Sequence, residues 1–97
     1  MSTPNLIKPG QAYALNKLVN TVAESRDARL HIISRLIGRK VLTSFDVMRS
    51  EWVKIRNNAY PSWHKDDWTV SEAFIREMHQ LNQDFRERVL GQMRLFD

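Results

Sequence analysis

The sequence contains no cysteine, few glycines and prolines, and no long apolar run. Without cysteine there is no disulfide framework and no thiolate metal site, which fits a reducing cytoplasm. No apolar stretch approaches the roughly 18 residues that cross a bilayer. Residues 1–10 also lack the charged-then-apolar pattern of a secretion signal. We therefore expect a cytoplasmic protein that does not enter a membrane.

The charge is divided unevenly along the chain. The length of 97 residues and the apolar content of 42% predict one domain with a single modest core. Residues 1–56 hold ten Lys and Arg and four Asp and Glu, a net charge of +6, whereas residues 57–97 have a net charge of −2. The basic half is therefore the candidate surface for an anionic partner.

Apolar residues recur at three- and four-residue steps in four segments, which is the period of an amphipathic helix. The first helix is expected from Pro9, a favourable first-turn residue, and the second should end at Gly38, which takes a left-handed cap without steric cost. The third is expected from a cap at Thr43 or Ser44. The predicted buried stripes are Ala12, Leu15, Leu18, Val19 and Val22; Leu30, Ile33, Leu36 and Ile37; and Phe45, Met48, Trp52 and Ile55.

A fourth, longer helix is expected from a capping box of Thr69 and Glu72 to about Leu90, where Gly91 should end it. Its predicted stripe is Phe74, Met78, Leu81, Phe85 and Val89. The expected fold is all-α, a small bundle or array of four helices with a flexible C-terminal tail. We divide the chain into a helical domain, 1–90, and a tail, 91–97. The domain comprises the basic half 1–56, an aromatic loop 57–68 and the long helix 69–90.

The tail carries the string QMRLF, from Gln92 to Phe96. It resembles the short motif by which bacterial proteins bind the replication sliding clamp. That motif is a glutamine, usually leucine, a small or acidic residue, leucine and phenylalanine. Here Met93 replaces the commonest leucine, and Arg94 stands where serine or aspartate is usual. Polymerases, mismatch-repair proteins, clamp loaders and plasmid replication initiators use such motifs.

The resemblance implies that Gln92, Met93, Leu95 and Phe96 bind the clamp. Leu95 and Phe96 would fill an apolar pocket, the Gln92 amide would fix the register, and the flexible Met93 thioether would occupy a neighbouring apolar site. A small protein with this motif recruits a partner to the clamp or excludes polymerases from it, and so modulates DNA replication or repair. A phage, plasmid or other mobile-element origin would suit either role. The alternative is that Met93 and Phe96 fold back on the core.

The basic half also has the outline of a helix-turn-helix, in which the third helix would read DNA. The candidate DNA-binding residues are Arg35, Arg39, Lys40, Arg49, Lys54 and Arg56. The alternatives to a clamp adaptor are thus a DNA-binding transcriptional regulator and a homo-oligomeric module that associates through the fourth helix. The segment LNKLVNTVAES resembles the start of small helical domains attached to phage antirepressors. The six candidate DNA-binding cations are equally consistent with an ordinary solvated surface.

The segment AYPSWHKDDW concentrates Tyr60, Trp63 and Trp68. Such aromatics stack on bases or anchor a protein partner when exposed, but small helical domains need large side chains, so we expect both tryptophans to pack in the core. His64 with two neighbouring aspartates is a weak metal pattern, and we predict no metal site and no cofactor. No nucleophile elbow or HExxH motif is present, so we predict that the protein is not an enzyme.

Overall fold

The computed structural model of the chain describes residues 5–94, with residues 93 and 94 described by their backbone alone. Over this range the protein is all-α, which confirms the predicted fold class. Its helices are α1 (Pro9–Val19), α2 (Arg26–Ile37), α3 (Arg49–Ala59) and α4 (Glu72–Arg94), with 3-10 turns at Ser44–Asp46 and Trp63–Lys65. Within these residues, an isolated antiparallel bridge joins Leu6 to Met48.

The four helices share one hydrophobic core. Helix α4 packs chiefly against α2 and also contacts α3, while α1 packs against α2 and the first 3-10 turn. The core is completed by extended segments at residues 7, 41 and 47. Its members are Ile7, Ala12, Leu15, Leu18, Val19, Val22, Ile32, Ile33, Val41, Val47, Trp52, Ile55, Ala59, Phe74 and Met78.

The signals expected at Pro9 and Gly38 are used, and α2 also has an N-terminal cap. Pro9 is the first residue of α1, and the Ser25 hydroxyl accepts a hydrogen bond from the Ala28 amide at the start of α2. Gly38 ends α2 with a φ of 81°, the left-handed conformation predicted for it. Helix α1 is shorter than its apolar period suggests, since Val22 is buried in the turn that follows the helix.

The expected start of the third helix is wrong. Thr43 does cap a turn, but that turn is 3-10, and the chain then becomes extended at Val47, whose carbonyl accepts a hydrogen bond from the Ile7 amide. Helix α3 begins only at Arg49. Consequently Phe45 is 57% exposed and does not belong to the core stripe, whereas Trp52 is buried as predicted.

Both predicted ends of the fourth helix are also wrong. Thr69 donates its hydroxyl proton to Asp67 at 2.6 Å instead of capping the helix, which begins at Glu72. At the other end, α4 continues through Gly91 to Arg94. The only glycine of the described residues with a positive φ is Gly38. Glycine disfavours a helix interior by about 1 kcal/mol but does not by itself end a helix.

The aromatic loop begins at Tyr60 and not at residue 57, because α3 continues to Ala59. The predicted core position of Trp68 is wrong, since its side chain is 51% exposed. Trp63 is half-buried.

Candidate functional site

A cleft with a volume of about 750 Å³ runs along the outer face of α2. Its floor is α2, one wall is the segment that follows Gly38, and Arg88 of α4 closes the other side. The α2 residues recur at three- and four-residue steps, so they form one face of the helix, opposite buried Ile32 and Ile33. The lining residues are Arg26, Asp27, Leu30, His31, Ser34, Arg35, Gly38, Arg39, Lys40, Val41, Leu42 and Arg88.

Gly38 and Ser34 together create the wall of the cleft. The left-handed backbone at Gly38 turns the chain back, and the Ser34 carbonyl accepts hydrogen bonds from the amides of Gly38 at 2.9 Å and Arg39 at 3.1 Å. The Ser34 hydroxyl then accepts a third, from the Val41 amide at 3.0 Å. The returning chain is therefore held against α2, and its side chains border the same cleft as the helix.

The cleft is strongly cationic. Five of its lining residues carry a positive charge, against one acid, Asp27; the cations are Arg26, Arg35, Arg39, Lys40 and Arg88. The partly buried His31 adds an imidazole ring. Leu30, Val41 and Leu42 give the floor and wall an apolar component. A ligand that suits this lining has negative charges near the rim and an apolar or planar body.

Asp84 of α4 holds part of this charge in place. Its Oδ2 atom lies 3.1 Å from His31 Nε2, 3.4 Å from an Arg35 guanidinium nitrogen and 3.6 Å from Arg88 Nε. Desolvation acts to raise the pKa of the Asp84 carboxyl. The hydrogen bond with His31 and the charges of Arg88 and Arg35 outweigh it, so the pKa lies below its ordinary value. Asp84 thereby holds two of the arginines that line the cleft, Arg35 and Arg88.

Arg39 is mainly a structural residue. Its guanidinium donates to both carboxylate oxygens of Glu51, at 2.9 and 2.7 Å, and to the Asp46 carbonyl at 2.7 Å. Glu51 in turn accepts from the Met48 amide at 2.8 Å, at the start of α3. The hydrogen bond with Arg39 lowers the pKa of the Glu51 carboxyl. This pair therefore ties the end of α2 to the beginning of α3.

The structure brings together three of the six predicted DNA-binding residues, namely Arg35, Arg39 and Lys40. The others lie on α3, outside this cleft. Arg49 donates its Nε proton to the Leu6 carbonyl at 3.1 Å, and the Arg56 guanidinium carbon is 3.9 Å from the centroid of the Trp63 ring. Lys54 borders a separate depression that also contains Glu51 and Glu77.

The sequence prediction missed Arg26 and Arg88 as members of the cationic cleft. Arg26 is held by a hydrogen bond to the Leu42 carbonyl at 3.4 Å, a contact that forms because Gly38 reverses the chain. Arg88 comes from the distant helix α4 and lies one turn after Asp84. The helical spacing of Arg26 and Arg35 gave no signal for a shared face, because residues nine apart lie on opposite sides of a helix. The approach of Arg88 depends on the packing of α2 against α4.

The predicted clamp-binding residues lie at the end of α4. Gln92 is exposed in the last described turn, and the backbone of Met93 is helical. The preceding turn exposes Leu90 by 53%. Leu95 and Phe96 lie outside the described residues.

No protein-family model matches this chain, and neither a curated protein nor a solved structure is significantly similar to it. Among residues 5–94, no helix is both long and apolar enough to cross a membrane. The described side chains likewise contain no group of three His, Asp or Glu residues placed to hold a metal ion.

Proposed function

We propose that this protein is a small non-enzymatic adaptor or inhibitor that binds the bacterial DNA sliding clamp through Gln92, Met93, Leu95 and Phe96. The observation that carries the proposal is the QMRLF string, which begins within the last turn of α4. Gln92 is accessible there, and the polypeptide before it is exposed at Val89 and Leu90. Binding at this end leaves the hydrophobic core of the four helices undisturbed.

The helical conformation around Gly91 requires one addition to the proposal. In the proposed complex, Leu95 and Phe96 enter the pocket while the Gln92 amide forms hydrogen bonds at its rim. This arrangement favours an extended segment, so the last turn of α4 unwinds on binding. Helix ends lack partners for their last four carbonyl groups, and glycine costs about 1 kcal/mol relative to alanine within a helix. Gly91 therefore makes this turn the least costly part of α4 to unwind.

Clamp binding gives the protein its effect by competition. Many clamp-binding proteins use the same type of motif, so a chain that occupies the pocket excludes a polymerase from it or brings another partner to it. The clamp encircles DNA, and the cationic cleft along α2 suits a protein held close to the phosphate backbone. The QMRLF motif and the cationic cleft therefore both act close to the DNA that the clamp encircles.

The test is a pull-down with purified sliding clamp, using the full chain and a Leu95→Ala, Phe96→Ala double variant. Two side chains of this size contribute roughly 1.5–3 kcal/mol each when buried. The double variant should therefore lose at least about a hundred-fold in affinity. Leu90→Ala is the matched control, because it removes an exposed leucine of α4 that lies outside the motif. Equal binding by the double variant, or its unfolding by circular dichroism, contradicts the proposal.

A second candidate function is nucleic-acid binding by the cationic cleft, as in a DNA-binding regulator. It is favoured by the five cations that line one concave surface. The helix-turn-helix version is less suited to the geometry. Residues 38–48 separate α2 from α3 and include a 3-10 turn, whereas that motif has a turn of about three or four residues.

This second function is tested by binding to labelled DNA at increasing salt concentration. Arg35→Glu with Lys40→Glu should abolish measurable binding or reduce the dependence of the binding constant on salt. The slope of its logarithm against the logarithm of the salt concentration should decrease in magnitude by about two, because each of these cations is expected to neutralise one phosphate. Arg39 is left unchanged because it joins α2 to α3 through Glu51. Lys8→Glu with Lys17→Glu is the control, since it makes the same charge change at α1 and its N-terminal cap. An equal decrease in both double variants would show a general charge effect and no site.

A further inference from the structure

The loop between α3 and α4 carries a compact group of aromatic rings, Tyr60, Trp63 and Trp68, which we call the aromatic ledge. The Tyr60 and Trp68 rings lie 5.3 Å apart in an edge-on arrangement, and the Trp63 and Trp68 rings lie 6.5 Å apart. Trp68 exposes half of its side chain to solvent. The cationic cleft and the terminal motif make no use of this group.

The ledge is held in place by its own loop. Asp67 donates its amide proton to the Ser62 carbonyl at 3.2 Å, and Asp67 Oδ1 accepts from both the amide and the hydroxyl of Thr69. The Trp68 indole donates to Asp66 Oδ1 at 3.2 Å. An exposed tryptophan in a fixed orientation loses little conformational entropy on binding, which is the property of a preformed interaction anchor.

The surroundings of the ledge favour a cation. Residues 60–72 contain Asp66, Asp67 and Glu72 against Lys65, and Arg56 of α3 adds a second cation beside the ledge, which leaves an excess of one negative charge. The Thr69 hydroxyl and amide lower the pKa of the Asp67 carboxyl, which keeps it charged. One ring already binds a cation within the molecule, because the Arg56 guanidinium lies over Trp63 at 3.9 Å.

We propose that the aromatic ledge is a docking site for a basic, extended segment of a partner protein. A lysine or arginine side chain of that segment lies on the exposed face of Trp68, and its charge is balanced by the neighbouring Asp66 and Asp67 carboxylates. Charge complementarity selects this occupant over a single-stranded nucleic acid, whose bases also stack on tryptophan but whose phosphates are repelled by these carboxylates. With the terminal motif on α4, the ledge gives the protein two separate binding surfaces.

The test is fluorescence anisotropy with three labelled probes: an arginine-containing peptide, the same peptide with glutamate at each arginine, and a single-stranded oligothymidine. The arginine peptide should bind, and Trp68→Ala should weaken it at least about five-fold, which corresponds to a cation–π contact of about 1 kcal/mol. Asp66→Asn with Asp67→Asn should weaken it as well. Tyr13→Ala, at an aromatic residue of α1 that is 70% exposed, is the control and should have no effect.

Three results overturn the proposal. The first is that the arginine peptide does not bind, or binds Trp68→Ala as well as the unchanged protein. The second is equal affinity for the glutamate peptide, which would show that charge does not select the occupant. The third is oligothymidine binding that requires Trp68, which would assign the ledge to base stacking instead. An unchanged melting temperature for Trp68→Ala establishes that any decrease in binding is not caused by unfolding.

Discussion

Replacing Gly91 with alanine should weaken clamp binding while strengthening the end of α4. Gly91 lies within the helix, and a Cβ atom there would meet, beyond the adjacent helical backbone, none of the described atoms within 4 Å. The substitution is therefore free of steric conflict, and its main effect is on backbone freedom. Alanine favours an exposed helix interior over glycine by about 0.5–1 kcal/mol.

The same free energy opposes the unwinding that we propose for clamp binding. If the turn that contains Gly91 must unwind before Gln92 and the following residues enter the pocket, Gly91→Ala raises that cost by up to about 1 kcal/mol. The dissociation constant should then increase by about two- to five-fold, since about 1.4 kcal/mol corresponds to ten-fold. Calorimetric titration of purified clamp measures this change, and amide hydrogen exchange at residues 91–94 reports the strengthened helix.

His79→Ala is the control for this prediction. His79 is exposed in the middle of α4, so alanine there favours the helix without affecting its last turn. Its clamp affinity should equal that of the unchanged protein. Slower hydrogen exchange at the helix end of Gly91→Ala combined with unchanged or tighter clamp binding would refute the unwinding step, and the motif would then bind without leaving the helix.

Three further predictions concern the fold. Gly38→Ala should lower the free energy of unfolding by about 1–2 kcal/mol in urea titrations, because its φ of 81° is strained for a residue with a Cβ atom. Trp52→Ala should cost roughly 3–5 kcal/mol in the same titrations, whereas Trp68→Ala should change stability by less than about 0.5 kcal/mol. The Arg39–Glu51 pair lowers the pKa of Glu51, so its stabilisation is present above the ordinary carboxyl pKa and disappears as the pH falls through the lowered value. Glu51→Gln should therefore be less stable at neutral pH and approach the unchanged protein in acid; a constant difference across pH would contradict this.

Features that depend on a few neighbouring residues could be predicted from the sequence. Helix α2 ends where it was expected to end because Gly38 takes the left-handed conformation. The predicted start of the third helix failed because Thr43 caps a 3-10 turn as readily as an α-helix. Val47 pairs with the segment at Ile7, which is distant in sequence, and this pairing favours the 3-10 turn over an α-helix.

The composition of the cleft and the exposure of the ledge depend on tertiary packing. Arg35 was a candidate because it lies in the basic half, but its fixed position comes from Asp84, a residue of another helix. Arg88 joins the cleft only because α4 packs on α2. Trp68 has the size and apolar character of a core residue, and its exposure follows from hydrogen bonds that hold the loop and its indole at the surface.

The most direct test of the clamp proposal is displacement of a labelled clamp-binding peptide from purified sliding clamp. The unchanged protein should displace the peptide competitively and completely, and the Leu95→Ala, Phe96→Ala variant should fail to do so at about a hundred-fold higher concentration. Leu90→Ala should displace it as well as the unchanged protein. Failure of the unchanged protein to displace the peptide, or equal displacement by the double variant, would contradict the proposal that this chain binds the clamp through its last residues.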